Sequence, residues 1–461
     1  MSRYFKKLQA LLIASALTLS LAACGSNTQT GQTTEEGIET TETETTTETT
    51  EAETAGTDTA EGETVTLSMF IQYTSDDEKA VADYAMAEMK KIMPDVETEI
   101  EAVPQDNGAK LKTFFATGSL PDIYEVSTSD VITAVNSNNA IQLDEYIEKL
   151  NIKDQLTPTG QALLEQQDGH TWGIIGANTN FAVIYVNKAV FDQVGAKIPE
   201  NYEEFLEAGE LLKENGIVPL GIWLKETWPP LQLFDMFALA ESENGIAGLD
   251  AKGTAKASDP AYMNAAAKIQ EISSKGLISK DAFSVDYNSA VADFKSGKTA
   301  MLICGNWMAQ EFGDTMENVT ILLPYALADA SEAEAVKEAG AMSGGGFAGG
   351  LAVAANSEHK DIAAEYAVQY ALKKIEARIV LTGEFNTMLT KTVASEKEPN
   401  AVVNELSEAV AKSKRSSIMG WGFESSKIQT DLGSEVQKLF TGEYAPEDFA
   451  KNMDAVLEKN R

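Results

Sequence analysis

From Val65 onward the sequence alternates strand-like and helix-like segments, and this alternation restricts the fold more than any other feature. An apolar alternating stretch over 65–73 predicts a strand, and an amphipathic helix follows it and ends at Pro94. A strand over 97–103, a helix over 107–117 and a strand over 120–126 repeat the pattern. Strands joined by helices pair in parallel through right-handed crossovers, so we predict a mostly parallel α/β sheet here.

The second half of the chain carries the same pattern. Strands are predicted over 181–186 and 300–304, and helices over 202–215 and 261–275. With 461 residues, of which 43% are hydrophobic, the chain can bury more than one core. We therefore predict an α/β protein of two or more domains.

The charge and the scarce metal-binding residues exclude several classes of function. The chain has 71 Asp and Glu against 36 Lys and Arg, a net charge of −35, which repels nucleic acids and anionic membranes. It has only two cysteines and two histidines, too few for most transition-metal sites and histidine-based catalysis. We expect no nucleic-acid partner, no metal, no cofactor and no catalytic residue.

The N-terminus has the pattern of a secretory signal. Three basic residues precede an apolar run over 8–23, and the run ends in Leu21-Ala22-Ala23-Cys24, which looks like a bacterial lipobox. We predict that residues 1–23 are a lipoprotein signal peptide and that Cys24 carries the lipid. An ordinary cleavage site with an incidental cysteine is the alternative. The lipid would be the protein's only membrane contact, on the extracytoplasmic face of a bacterial, Gram-positive cell membrane.

The next segment cannot form a core. Residues 28–64 contain 16 threonines, 11 acidic residues and no lysine or arginine. Low hydropathy and charge of one sign predict that 24–64, with the lipidated cysteine at its start, is a disordered linker. A polyacidic metal or peptide sink is the alternative function.

Several stretches after the linker resemble, in order, motifs of the family 1 extracellular solute-binding proteins, which serve ABC sugar importers and include the maltose-binding protein. The less specific stretches are 115–123, 168–180 and 202–217. The most specific are Tyr185-Val-Asn-Lys188 and Phe294-Lys-Ser-Gly-Lys-Thr-Ala-Met301, the second followed by Gly305-Asn306-Trp307. The resemblance covers nearly all of the chain after Thr64.

The resemblance implies a periplasmic-binding-protein-like fold with two α/β lobes, joined by hinge strands around a ligand cleft. Lobe one would comprise 65–177 plus 350–395, and lobe two 182–345 plus 400–461. The chain would cross between them near 176–182 and within 343–350. Five glycines among residues 344–350 independently favour a bending point there, although a loop that lets strands approach closely is the alternative.

A sugar site needs aromatic rings for the C–H faces of the ligand, and three tryptophans are candidates. Trp307 follows a short apolar strand and matches a position where the family commonly places a stacking tryptophan. Trp228 begins a predicted helix, and Trp421 stands between two glycines that cannot shield it. A place in the core is the alternative for each of them.

Polar groups are needed for the hydroxyls of a sugar, and the candidates are Asn180, Asn306, Asp122 and Asp130. Asn180 lies at the predicted hinge, and Asn306 adjoins Trp307. Asp122 has an alternative role, since an aspartate in Pro-Asp-Ile can bind backbone amides and fix the start of a strand.

Three further candidates complete the predicted site: Tyr73, Asp286 and Phe347. Tyr73 ends the first predicted strand, at the edge where open α/β sheets bind ligands. The sequence departs from some sugar-binding relatives in lacking a tryptophan shortly after Asp122, which puts the identity of the ligand in doubt.

These observations predict a monomeric substrate-binding lipoprotein, not an enzyme, that captures a sugar, an oligosaccharide, by lobe closure and delivers it to the permease subunits of an ABC transporter. A cationic peptide or polyamine is the alternative ligand, because the domain is acidic. A tethered glycan-acting enzyme would need two carboxylates facing each other across the cleft. A sensor that presents its closed form to a signalling partner is the third alternative.

Overall fold

The structure is a computed structural model, and it describes residues 64–104, 106, 108–166 and 169–461. The predicted signal peptide, Cys24 and the threonine-rich linker lie outside these residues. Their cleavage, lipidation and disorder therefore stay predictions.

The described residues form ten strands and sixteen helices. The strands, in chain order, are β1 (Val65–Ile71), β2 (Val96–Ala102), β3 (Ile123–Val126), β4 (Phe181–Asn187), β5 (Val218–Gly221), β6 (Thr299–Gly305), β7 (Val319–Leu322), β8 (Ala341–Gly344), β9 (Gly350–Val353) and β10 (Arg415–Ser416). The helices are α1 (Asp76–Ile92), α2 (Ala109–Thr117), α3 (Thr128–Asn136), α4 (Asp144–Lys149), α5 (Pro158–Ala162), α6 (Lys188–Val194), α7 (Tyr202–Glu214), α8 (Trp228–Glu241), α9 (Pro260–Ser274), α10 (Tyr287–Lys295), α11 (Ala309–Thr315), α12 (Ala333–Ala339), α13 (Lys360–Thr382), α14 (Ala401–Lys412), α15 (Ser426–Leu439) and α16 (Pro446–Asn460).

The first sheet has the strand order β2-β1-β3-β9. Strand β1 pairs in parallel with β2 and β3, as the strand–helix alternation predicts, and β9 returns antiparallel to β3. Side chains alternate between the two faces of β1: Leu67 and Met69 pack toward α1 and α13, while Phe70 packs toward α2 and α3. The sheet is therefore buried on both faces.

The second sheet has the strand order β10-β8-β4-β6-β5, with β7 also paired to β4. Strand β4 is antiparallel to β6, β7 and β8, whereas β5 and β6 are parallel. Every residue of β4 and β6 is buried, which agrees with their continuous apolar sequences. Cys304, on β6, is a buried free thiol that packs as an apolar residue.

Helix α8 is the centre of the core on one face of this second sheet. All residues from Pro229 to Ala240 are buried, and α9, α15, α16 and the strands surround the helix. A helix that is apolar on every side belongs inside a protein. Two polar residues within it, Gln232 and Asp235, are consequently buried as well.

The chain passes between the two sheets in three places. Residues 174–180 lead from the first sheet into β4, residues 345–349 connect β8 to β9, and residues 383–400 connect α13 to α14. Gly344, Gly345, Gly346 and Gly349 have φ angles of 105°, 100°, 66° and 134°, which side chains disfavour, so this crossing requires its glycines. The lobe limits given above stay predictions.

Candidate functional site

The pairing of the second sheet brings several strand ends to one edge. Strand β4 begins beside the end of β6, where Ala182 pairs with Gly305, and beside the end of β8, where Phe181 pairs with Gly344. Strand β5 is parallel to β6 and β10 is parallel to β8, so both end at this edge too. We call it the crossing edge, because the segments that join the two sheets also leave from it.

Three tryptophans follow these strand ends and contact one another. Ring centroids are 5.7 Å apart for Trp228 and Trp307, 5.6 Å for Trp228 and Trp421, and 6.2 Å for Trp307 and Trp421. All three residues are half-buried. We call them the tryptophan cluster; the structure thus brings together three residues that are far apart in the sequence.

Local contacts hold two indoles of the cluster, those of Trp228 and Trp307, in place. The Trp228 Nε1–H donates to Glu226 Oε2 at 2.8 Å, and the Trp307 Nε1–H donates to the Tyr287 hydroxyl at 3.3 Å. At Gly305 a Cβ atom would lie 2.0 Å from the Trp307 ring, so only glycine admits this ring position. The polar edges of these two indoles are occupied, which leaves their apolar faces for contact.

Two aromatic residues that the sequence analysis missed support the cluster from beneath. Trp223 is fully buried, and its ring meets those of Trp228 and Tyr287 edge to face at 5.0 and 5.3 Å. Burial raises the pKa of Tyr287 above its ordinary value, with smaller effects of the same sign from Cys304, Glu311 and Asp77. Tyr287 therefore stays protonated and donates to Met308 Sδ at 3.0 Å.

The two predicted asparagines lie at the crossing edge and differ in how their side chains are used. The Asn306 side chain is committed to the crossing segment: its Oδ1 accepts from the Phe181 N–H at 3.0 Å, and its Nδ2 donates to the Thr179 carbonyl at 3.2 Å. The backbone carbonyl of Asn180 accepts from Gly345 N–H at 2.8 Å, which ties two crossings together. Asn180 itself is half-buried.

Asp122 lies away from the other candidates. It precedes β3, whereas the crossing segments adjoin the carboxyl end of that strand. Its carboxylate accepts hydrogen bonds from the backbone and hydroxyl of Ser68, at 2.8 and 2.7 Å, and from Ser357 Oγ at 2.6 Å. Burial alone would raise the pKa of Asp122, but hydrogen bonds from Ser357 and Ser68 outweigh it and hold the pKa below its ordinary value. These are the contacts expected for the alternative role of Asp122, in which its carboxylate binds backbone amides and fixes the start of the strand.

Asp130 and Asp286 both act locally at helix starts. Asp130 and Ser127 form a capping box at the N-terminus of α3, and Asp286 is the N-cap of α10, accepting from Ser289 N–H at 2.9 Å. This backbone hydrogen bond from Ser289 is the main reason that the pKa of Asp286 lies below its ordinary value. Asp286 is exposed beside Tyr287 and so lies near the tryptophan cluster.

Phe347 and Tyr73 belong to the first sheet's side of the crossing. The carbonyl of Phe347 accepts from Thr128 Oγ1 at 3.1 Å, and it also lies 3.3 Å from where a Cβ of Gly422 would be. Phe347 therefore stands between α3 and the turn of Trp421. The Tyr73 hydroxyl donates to Asp83 Oδ1 at 2.7 Å, and this hydrogen bond is the main cause that raises the pKa of Tyr73.

The carboxyl ends of β1 and β3 carry polar residues that the sequence analysis missed. The N–H of Gln72 donates to Glu125 Oε2 at 2.8 Å, and the other carboxylate oxygen of Glu125 pairs with the Lys374 ammonium. The Gln72 Oε1 and the Tyr370 hydroxyl are buried without a hydrogen-bond partner in the described part of the chain. This end of the first sheet therefore offers hydrogen-bonding groups, while the second sheet offers aromatic faces.

Within the described ranges, no three His, Cys, Asp or Glu side chains come together in a way that could hold a metal ion. Among those same residues, no helix combines the length and the apolar character that crossing a bilayer requires.

Comparison with known sequences gives a family match. The profile of the family described as bacterial extracellular solute-binding protein matches residues 73–374, which is more than half of the chain. The chain is also 24% identical over 242 residues to the multiple sugar-binding protein of Streptococcus mutans serotype c. That match covers 48% of this chain and 54% of the relative, so the chain spans about half the length of the curated protein it resembles.

Solved structures show the fold. A chitin oligosaccharide binding protein superposes with a TM-score of 0.74 and 20% identity, over 87% of this chain and 99% of that one. A sugar transporter from Bacillus licheniformis, solved in complex with stachyose, gives a TM-score of 0.63 and 18% identity, over 86% of this chain and all of its own (100%). The predicted periplasmic-binding-protein-like fold of two α/β lobes is thereby confirmed; below, lobe one contains the first sheet and lobe two the second.

Proposed function

Because the chain belongs to the bacterial extracellular solute-binding protein family, we propose that it is a receptor that binds a sugar, an oligosaccharide, in the cleft between its lobes. The tryptophan cluster is the observation that carries this proposal. Sugar rings present C–H faces that pack on aromatic rings, and the cluster offers three half-buried indoles at the crossing edge. The sugar-binding names of its relatives agree with this ligand class.

Lobe one supplies the groups that a sugar's hydroxyls need. Gln72, Glu125 and Lys374 lie at the carboxyl ends of the β1 and β3 strands or pack against them, where open α/β sheets bind ligands. Carboxylate, amide and ammonium groups together accept and donate the hydrogen bonds that hydroxyls make. In the proposed complex the sugar lies between these groups and the indoles.

Binding acts through closure of the lobes, without a chemical step. A ligand that contacts both lobes binds the closed form better than the open form, and it shifts the population by that difference in affinity. The glycine-rich crossing at 345–349 provides the backbone freedom for this movement. The closed form is what the permease of an ABC transporter would recognise when the sugar is delivered.

The proposed attachment is a lipid on Cys24, at the extracytoplasmic face of the cell membrane. The support is the sequence Leu21-Ala22-Ala23-Cys24 after a basic and apolar N-terminus, together with the extracellular family. In a Gram-positive host, Cys24→Ser should release the protein from the membrane fraction into the medium. Incorporation of labelled palmitate into the variant as into the wild type would contradict lipid anchoring at Cys24.

A ligand panel tests the proposed function against its alternatives. The melting temperature should rise with one class of oligosaccharide, stachyose and chitin oligosaccharides being the first probes, because a ligand that binds only the native state stabilises it. A response to spermidine or a basic peptide alone would favour the cationic ligand. Recovery of a cleaved sugar would favour the glycan-acting enzyme, and copurification of a sensor kinase in place of a permease would favour the sensor.

Substitution in the cluster tests the site itself. Trp307→Ala should weaken sugar binding by about tenfold or more, as the loss of a central aromatic contact does. Tyr146→Ala is the matched control: this tyrosine on α4 contacts Asp361 at the far end of α13 from Lys374. If calorimetry gives Trp307→Ala the same sugar affinity as Tyr146→Ala, the tryptophan cluster is not the binding surface.

A further inference from the structure

A chain of buried hydrogen bonds connects helix α8 with the turn that carries Trp421. Gln232 Oε1 accepts from the Gly420 N–H at 2.7 Å, and Gln232 Nε2 donates to Ser343 Oγ at 2.8 Å. Ser343 Oγ in turn donates to Asp235 Oδ2 at 2.6 Å. Gln232, Ser343 and Asp235 are each 0% exposed. Gly420 adjoins Trp421, and Ser343 adjoins the glycine-rich crossing. These hydrogen bonds therefore connect Trp421, a candidate ligand contact, with the predicted hinge.

The direction of each hydrogen bond follows from the chemistry of the groups. A backbone N–H only donates, so Gln232 must turn its amide oxygen to Gly420 and its amide nitrogen to Ser343. Ser343 then accepts from Gln232 and directs its single proton to Asp235. An ionised carboxylate accepts that proton, whereas a protonated carboxyl competes for the same position. The Gly420 N–H therefore sets which end of the Gln232 amide faces the turn, and the charge of Asp235 sets how firmly Ser343 Oγ is held as the acceptor for Gln232 Nε2.

Asp235 sits where its charge can change near neutral pH. Its Oδ1 accepts from the Ile246 N–H at 2.7 Å, and Gly245 lies so close that a Cβ there would come within 2.2 Å of this oxygen. Burial raises the pKa of Asp235 to about 7, although hydrogen bonds from Ser343 and Ile246 act in the opposite direction.

Tyr262 interacts electrostatically with this carboxyl group, whereas Arg415 binds the same helix, α8, one turn further along. Tyr262 on α9 donates its hydroxyl proton to the Gly245 carbonyl at 2.7 Å, and its own pKa is raised chiefly by burial and also by Asp235. Arg415 on β10 directs its guanidinium to the Leu239 carbonyl at 2.8 Å. Neither group forms an ion pair with Asp235 in the described part of the chain, so the carboxylate charge is balanced only by hydrogen bonds.

We propose that Gln232 and Asp235 are positioning residues for Trp421, and that ionised Asp235 holds the Gln232 amide in the orientation that fixes the Gly420–Gly422 turn. This inference rests on the proposed function, in which Trp421 contacts the sugar. Protonation of Asp235 removes the acceptor of the Ser343 proton, so Ser343 no longer anchors Gln232 Nε2 firmly and the Gly420–Gly422 turn loosens. Sugar affinity therefore falls as the pH drops through neutrality.

The first experiment needs no sugar. The protein has 5 tryptophans, and labelling them with 5-fluorotryptophan gives one fluorine NMR resonance each, of which Trp421→Phe identifies one. In the wild type we expect the Trp421 resonance to titrate with a midpoint near that of Asp235. Asp235→Asn should abolish this titration, and so should Ser343→Ala, which breaks the chain at its middle and leaves Gln232 and Asp235 intact.

Glu384→Gln is the matched control, because it removes another buried carboxyl group that lies at a different crossing. The titration of Trp421 should persist in this variant. A Trp421 resonance that does not move with pH in the wild type, or that titrates unchanged in either Asp235→Asn or Ser343→Ala, would overturn the proposal.

The second experiment measures affinity for stachyose at pH 6 and pH 8. If about one tenth of the protein keeps Asp235 ionised at pH 6, the apparent affinity should be about tenfold weaker than at pH 8. Asp235→Asn should bind equally at both values, and equal affinities in the wild type would contradict the proposal. If the protein binds no sugar of the panel while the Trp421 resonance still titrates, the proposed function is wrong. The hydrogen bonds that position Trp421 would then stand without it.

Discussion

The indole N–H of Trp307 donates to the hydroxyl of Tyr287 at 3.3 Å, so the polar edge of the ring faces inward. A stacking residue must keep one orientation to present its face to a ligand, and this hydrogen bond fixes that orientation. The hydroxyl of Tyr287 is itself held by Met308. The orientation of Trp307 therefore depends on a residue outside the tryptophan cluster.

Replacement of that hydroxyl should weaken binding without unfolding the protein. Tyr287→Phe removes one buried hydrogen bond and leaves the Trp307 N–H without its acceptor, at a cost of about 1 kcal/mol. We expect roughly fivefold weaker sugar binding by calorimetry. Tyr146→Phe, which loses its hydrogen bond to Asp361, should leave the affinity unchanged; a similar loss in both variants would contradict a role for Tyr287.

Gly305 precedes the turn of Trp307, and the lack of space for a side chain there leads to a prediction about binding. Because a Cβ at Gly305 would lie 2.0 Å from the Trp307 ring, Gly305→Ala must displace the ring. Sugar affinity should fall by about tenfold or more, with an overpacking cost of about 1–3 kcal/mol in stability.

Gly195→Ala is the control for Gly305→Ala, because it should lower stability without changing sugar binding. Gly195 has a φ of 73° and open space around it, so alanine there costs about 1 kcal/mol through the backbone alone. Its affinity should equal that of the wild type. If Gly305→Ala also binds normally, the ring position of Trp307 does not govern recognition.

The buried carboxyl group of Asp235 predicts how stability depends on pH. Its folded pKa of about 7 lies above the ordinary value of 3.8, so the folded state holds its proton more tightly than the unfolded state does. The stability that this proton contributes is present below the unfolded pKa and is lost as the pH rises toward 7. Between pH 5 and pH 7, the wild type should lose on the order of 2 kcal/mol relative to Asp235→Asn.

Urea denaturation of both proteins at several pH values measures this difference, and the contributions of all other groups cancel in it. Above pH 8 the difference should be constant. A difference that does not change between pH 5 and pH 8 would show that Asp235 does not titrate in this range.

Asp122 should matter for stability and not for binding. Asp122→Ala leaves the half-buried backbone N–H of Ser68 and two hydroxyls without their acceptor, at a cost of about 2 kcal/mol. Since the folded pKa of Asp122 is lowered, its contribution exists above the unfolded pKa and disappears as the pH falls through the folded pKa. If Asp122→Ala folds normally but binds the sugar more weakly, Asp122 belongs to the binding site.

The sequence predicted the fold class, and it singled out three tryptophans as candidates, because both leave local signals. Alternating periodicity identifies strands and helices, and the two glycines beside Trp421 indicate a turn with an open ring. The capping box of Ser127 and Asp130 is equally local, because its two members are three residues apart.

What the sequence did not predict depends on contacts between distant residues. The antiparallel direction of β4 against β6, β7 and β8 leaves no trace in periodicity, and Asp122 meets Ser357 across 235 positions. Trp223 looks like any buried aromatic until the fold places it under Trp228. The pairing of Glu125 with Lys374 likewise joins a strand to a helix far along the chain.

All members of the tryptophan cluster are carried by lobe two, and this has a kinetic consequence. In the proposed complex, a sugar that stacks on these rings would be captured by lobe two while the cleft is still open, and the movement of lobe one would follow as a separate, unimolecular step. Substitutions of the indoles should then change the association rate, whereas substitutions in the crossing segments should change the residence time. Substitutions in the glycine segment should therefore change how long the sugar stays far more than how fast it arrives.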